Sequence, residues 1–137
     1  MIAFALATRA RLLILDEPTN GLNIPSKSTF RKVIAASLDE KQCILISTHQ
    51  VRDLESLIDS FMVLDKGRII FNHTVDEIAA KLVFKHAKQL DGHPSIYSEP
   101  SFGGYNIVSP NSDNESSRIE METLFKAVIA QPDLLQF

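Results

Sequence analysis

Four aliphatic residues, Leu12-Leu13-Ile14-Leu15, run without interruption into Asp16-Glu17-Pro18-Thr19, and the stretch then turns through Asn20-Gly21-Leu22-Asn23. An unbroken apolar run bounded by turn residues predicts a strand buried on both faces, the habit of parallel sheets. Open α/β sheets bind their ligands beyond the carboxyl ends of the strands, and Asp16 and Glu17 stand at that end. Neighbouring strand residues point to opposite faces, so two adjacent carboxylates are free to hold different jobs. The same residues also read as an ordinary strand-to-loop boundary with acidic side chains facing water.

In order along the chain, Leu12 to Leu22 resembles the Walker B segment and following D-loop of ABC-type ATPases. Four apolar residues, Asp16-Glu17-Pro18-Thr19, a short spacer and Leu22 make the match. The resemblance implies that Asp16 assists Mg²⁺ binding, through water, and that Glu17 is the general base for the attacking water. It implies a dimer-interface D-loop at Gly21, Leu22 and Asn23. The family's D-loop usually carries Asp where Asn23 stands; an Asn side chain still hydrogen-bonds but bears no charge.

Upstream, residues 1–8 read as the end of a helix followed by Arg9 and Arg11, with no capping residue before the first apolar position. Downstream, a helix is predicted from near Ser26 to about Asp39, with Phe30, Val33, Ile34 and Leu38 at helical spacing and Lys27, Arg31 and Lys32 on a solvated face. A second buried strand begins at Cys43 and runs into Ser47-Thr48-His49; Cys43 reads as a small buried hydrophobe. A lone His after a strand is more often structural than catalytic. Its place here, after one helix and one strand, resembles the ABC switch histidine, and the resemblance implies that His49 contacts the γ-phosphate. Two parallel strands ending at one edge would let His49 and Glu17 converge.

A short amphipathic helix is expected over 51–58, then a strand at Phe61–Leu64, a hairpin turn at Asp65-Lys66-Gly67-Arg68, and a return strand to Phe71. Thr74 and Glu77 form a capping-box pattern. This order resembles the tail of an ABC nucleotide-binding domain, so the likeness covers about residues 1–81. Residues 82–137 read as a small α+β appendage. Strands are expected at 83–84, 95–97 and 105–108, with a loop at 98–104 and a helix from Ile119 to Ala130. The fold class implied is α/β: a partial P-loop NTPase (RecA-like) parallel sheet lacking the P-loop strand, with that appendage.

Composition narrows the function. The 137 residues are 45% hydrophobic and 23% charged with net charge −3, which gives no nucleic-acid footprint. No run approaches the roughly 20 apolar residues of a membrane helix. No G-x-x-x-x-G-K-[ST] occurs, so the backbone cradle and Lys for the phosphates are not in this sequence. The expectation is the C-terminal part of a longer ATPase, inactive alone. As implied by the resemblance, its cofactors are ATP and Mg²⁺, and its partners are a second nucleotide-binding subunit and a transmembrane permease. It would be cytoplasmic, peripheral on the inner face of the membrane. A non-transport ABC protein acting on ribosomes or DNA and a degenerate, non-hydrolytic binding module are the competing readings; Gly21, where the translation branch usually has His, favours the transporter.

Overall fold

The computed structural model describes residues 2–37, 39, 41–90, 92, 95–135 and 137. It is a mixed α/β structure with three small sheets, divided into two compact units, Met1–Leu57 and Ile58–Phe137.

In the first unit, helix α1 (Ile2–Ala7) precedes β1 (Leu12–Asp16), α2 (Ile24–Ser37) and β2 (Cys43–Ser47). β1 and β2 pair in parallel, Leu12 opposite Cys43 and Asp16 opposite Ser47. The strands fall where the apolar runs predicted them. The face carrying Leu13, Leu15, Ile44 and Ile46 turns inward, and Leu15, Phe30, Ile34 and Leu54 are buried. The other face departs from expectation. Leu12, Ile14 and Leu45 are 56%, 64% and 48% exposed, and Cys43 is exposed beside them. A parallel pair needs a layer on each face to be dry, and among the described residues of this unit only one face is covered.

Helix α2 starts two residues before the predicted Ser26, because Asn23 caps it. The Asn23 carbonyl accepts from the Lys27 amide at 2.9 Å, and its Oδ1 accepts from the Ser26 amide at 2.9 Å. Pro25 sits in the first turn, where a missing amide hydrogen costs nothing. Leu38, predicted on the apolar face, lies outside the described residues, and Val33 is exposed. The amphipathic helix expected over 51–58 is a single 3-10 turn, Val51–Asp53, followed by turns held by i to i+3 bonds. Leu54 still reaches the core.

In the second unit β3 (Ser60–Asp65) and β4 (Arg68–Thr74) form the predicted antiparallel hairpin. Lys66 and Gly67 both have positive φ, +47° and +75°, the signature of a two-residue type I′ turn that Gly makes accessible. A register shift between Val63 and Leu64 marks a bulge, and β4 pairs on to Thr74, past the predicted end at Phe71. α3 (Val75–Lys81) opens on the predicted capping box: Glu77 N donates to Thr74 Oγ1 at 3.2 Å and Thr74 N to Glu77 Oε2 at 2.9 Å.

A three-stranded antiparallel sheet follows, with order β5 (Leu82–Ala87), β7 (Gly104–Pro110), β6 (Tyr97–Ser101). Pro100, expected in a loop, lies inside β6. Proline is tolerated there because β6 is an edge strand. α4 (Met121–Ala130) buries Met121, Leu124, Ala127 and Val128, and a 3-10 turn, Pro132–Leu135, adds Leu135 to the same core as Phe71 and Ile78.

Thr74→Ala is expected to cost about 1 kcal/mol of stability, as loss of an N-cap does, read by denaturant unfolding. The Thr74 amide holds the Glu77 carboxyl below the ordinary glutamate range. A carboxylate with a lowered folded-state pKa stabilises above its unfolded value, and that contribution fades as pH falls through the folded one. Glu77→Gln should therefore flatten the acid limb of the stability profile.

Candidate nucleotide-hydrolysis site

The site is built where β1 and β2 end together. Glu17 leaves the strand with φ +44°, in the left-handed region that a non-glycine residue enters at a cost of order 1 kcal/mol. Its amide donates to Ser47 O at 2.8 Å, so the bend is tied to β2. The bend decides where the two carboxylates go. Asp16 stays in register with Ser47, whose hydroxyl donates to its Oδ1, and remains exposed. Glu17 folds towards the residues after β2. Its Oε1 lies 2.6 Å from His49 Nδ1 and accepts the His49 amide at 3.0 Å, while Oε2 accepts the Thr48 hydroxyl at 3.1 Å.

Three donors on one carboxylate favour its charged form. The Glu17 carboxyl is held below the ordinary glutamate range, first by the His49 ring and against a smaller opposing effect of desolvation. The two residues singled out on separate strands, 32 positions apart, are thus in direct contact. Asp16 is adjacent but bonded separately.

Gly21, Leu22 and Asn23 occupy the loop beyond β1. Gly21 has φ +74° and open space where a Cβ would stand. Leu22 is half-buried, its amide donating to Thr19 O at 3.2 Å. The side-chain bond of Asn23 goes to α2. Asp caps a helix as well as Asn does, so the Asn at this position keeps the local structure an Asp would give.

The donor set fits a magnesium ion. Among the described residues no three His, Cys, Asp or Glu side chains gather into a metal cage. Mg²⁺ takes one or two carboxylates and completes its shell with water and substrate phosphate oxygens. The exposed Asp16 oxygens are that kind of donor.

Two features escaped the sequence. Lys27, read as part of a solvated face, is only 21% exposed, and its Nζ donates to Gln50 Oε1 at 2.7 Å and to Asp53 Oδ2 at 2.6 Å. Arg31 also reaches this turn, donating to Asp53 O at 3.4 Å. Helical spacing puts both cations on the polar side of α2 and carries no information about a turn more than twenty residues later. The second is Thr19, fully buried with its Oγ1 unpartnered among the described residues.

Comparison with known proteins agrees with the motif. No protein-family model matches the chain. Three relatives set the scale. The uncharacterized ABC transporter ATP-binding protein YdbJ of Bacillus subtilis is 42% identical over 69 residues, 50% of this chain and 22% of that protein. The lantibiotic transport ATP-binding protein SrtF of Streptococcus pyogenes is 37% identical over 75 residues, 55% of this chain and 33% of that protein. The ABC transporter ATP-binding protein NatA of Bacillus subtilis is 32% identical over 77 residues, 56% of this chain and 31% of that protein. About half of this chain is therefore similar to ABC transporter ATP-binding proteins, and the resemblance read from the Asp-Glu-Pro-Thr motif is borne out. The chain spans about a fifth to a third of the length of these relatives.

Asn23→Ala should cost about 1 kcal/mol of stability, and Asn23→Asp close to none. Thr19→Val should stabilise the chain by about 1 kcal/mol, because it replaces an unpaired buried hydroxyl with a methyl of similar size. Thermal unfolding of the three variants checks both.

Proposed function

We propose that this chain is part of an ATP-hydrolysing subunit of an ABC transporter, with Glu17 as general base, Asp16 as the carboxylate on the metal side and His49 as the contact to the γ-phosphate. The observation that carries the reading is the Glu17–His49 contact at the shared carboxyl edge of a parallel strand pair. It supports a site in which a base and a phosphate-facing imidazole are held within one hydrogen bond of each other.

The roles follow from the chemistry. Mg²⁺, held on its protein side by Asp16, would neutralise charge on the phosphate oxygens of ATP. Glu17 is ionised and accepts donors, which is what taking a proton from water requires. His49 presently spends its Nδ1 on Glu17. When the ring turns to an anion, Glu17 loses its strongest donor and becomes the better base. The loop Gly21-Leu22-Asn23, with Gly21 and Asn23 exposed beyond the strand, would face a second nucleotide-binding subunit, and a transmembrane permease would receive the work. No helix among the described residues is long and apolar enough to cross a membrane; this reading puts the chain on the inner face of the membrane, in the cytoplasm, through that permease.

In the same reading, residues 1–81 correspond to the C-terminal half of a nucleotide-binding domain, a partial RecA-like sheet, and 82–137 to an accessory region. The open apolar face of β1 and β2 fits a sheet whose second face is covered by further chain. These 137 residues contain no phosphate-binding loop, so turnover belongs to a longer polypeptide and this chain alone is expected to be inactive.

The test is Glu17→Gln in the full-length ATPase. The expected result is ATP retained with turnover reduced by about 10²-fold or more, the scale of removing a general base. Undiminished turnover would remove Glu17 from this role.

A further inference from the structure

Lys27 lies in the first turns of α2, four residues after the Asn23 cap. Its ammonium is the donor in two short contacts, to Gln50 Oε1 and to Asp53 Oδ2. The first has a consequence for His49. With its oxygen committed to Lys27, the Gln50 amide presents its nitrogen, and Nε2 of that amide lies 3.5 Å from Nε2 of the His49 ring. An amide nitrogen only donates. At that distance, the outer limit of hydrogen bonding, the ring Nε2 is placed to accept, which agrees with the single proton of a neutral imidazole on Nδ1. That is the nitrogen 2.6 Å from Glu17 Oε1, where a donor is needed. Every donor in the series Lys27, Gln50, His49, Glu17 points the same way.

We propose that Lys27 is a positioning residue that, acting through the Gln50 amide, reinforces the Nδ1–H form of His49 that Glu17 Oε1 already requires, and so helps hold the ring on Glu17. The inference deepens the reading given above, since it rests on His49 being the phosphate-facing group. A neutral His49 in this arrangement has no N–H left for an anion. Its Nε2 becomes a donor only when the proton leaves Nδ1, which requires release from Glu17 as well as from the Gln50 amide, or when the ring takes a second proton. Lys27 thereby ties the helix that follows the Gly21-Leu22-Asn23 loop to the protonation pattern of the imidazole.

The test is imidazole-nitrogen NMR on the full chain, at a pH where the rings are neutral, with Lys27→Met, Lys27→Arg and Gln50→Leu variants. The unmodified chain should show His49 mainly as the Nδ1–H form. Lys27→Met should move the tautomer ratio towards Nε2–H by about twofold, the low end of the worth of one net hydrogen bond, as suits a long contact. Lys27→Arg should restore it, because a guanidinium supplies donors to both Gln50 and Asp53. Gln50→Leu should give the Lys27→Met result while keeping the Lys27–Asp53 ion pair, so it decides the matter should Lys27→Met fail to fold. The signals of His73 and His86, in the other unit, report that the rest of the chain is intact. An unmodified chain with His49 mainly as Nε2–H overturns the proposal, as does an unchanged ratio in either folded removal variant. Loss of the hydrolytic reading through Glu17→Gln turnover would leave this NMR result standing, so the two failures are distinguishable.

Discussion

The parallel pairing of β1 with β2 is the constraint on which the site depends. Register Asp16 opposite Ser47 places the two residues after β2, Thr48 and His49, beside the one residue after β1. The Glu17 amide bond to Ser47 O then locks the backbone bend that aims its carboxylate at Thr48 and His49. A slip of one residue would reverse the face of every side chain on the strand and separate the pair.

The same pairing explains why the site is charged yet close-knit. Glu17 meets donors from a hydroxyl, a backbone amide and a ring nitrogen, all from consecutive residues. Each donor is delivered by the geometry of one strand end, so no long side chain has to be immobilised to hold the carboxylate. Lys27 is the contrast: it is a long side chain, but it is half-buried and pinned at two acceptors. The left-handed backbone of Glu17 fits the pattern in which local strain collects where function is placed.

Much of this was legible beforehand. The strands at Leu12, Cys43 and Phe61, the turn at Lys66-Gly67 and the Thr74 capping box all follow from short-range rules of period, turn residue and cap. Misreadings came where a long-range condition overrode a local one. Pro100 joined a strand because that strand is an edge. The helix expected at 51–58 shrank to one 3-10 turn, and the sequence period alone had no way to show it. Leu12 and Ile14 read as buried because their run has the composition of a covered strand, and the second cover is not among the described residues.

The sequence by itself determined the chemistry on offer: two carboxylates after an apolar strand, an imidazole after the next, and a motif specific enough to name the resembling family. Those are properties of residue type and order. Only the tertiary structure decided which groups touch. That Glu17 rather than Asp16 receives His49 depends on strand register and on one positive φ, and that Lys27 is bound to the turn at 50–53 instead of facing water depends on where α2 meets that turn. Both are set by pairing between residues far apart in the chain, which local pattern does not encode.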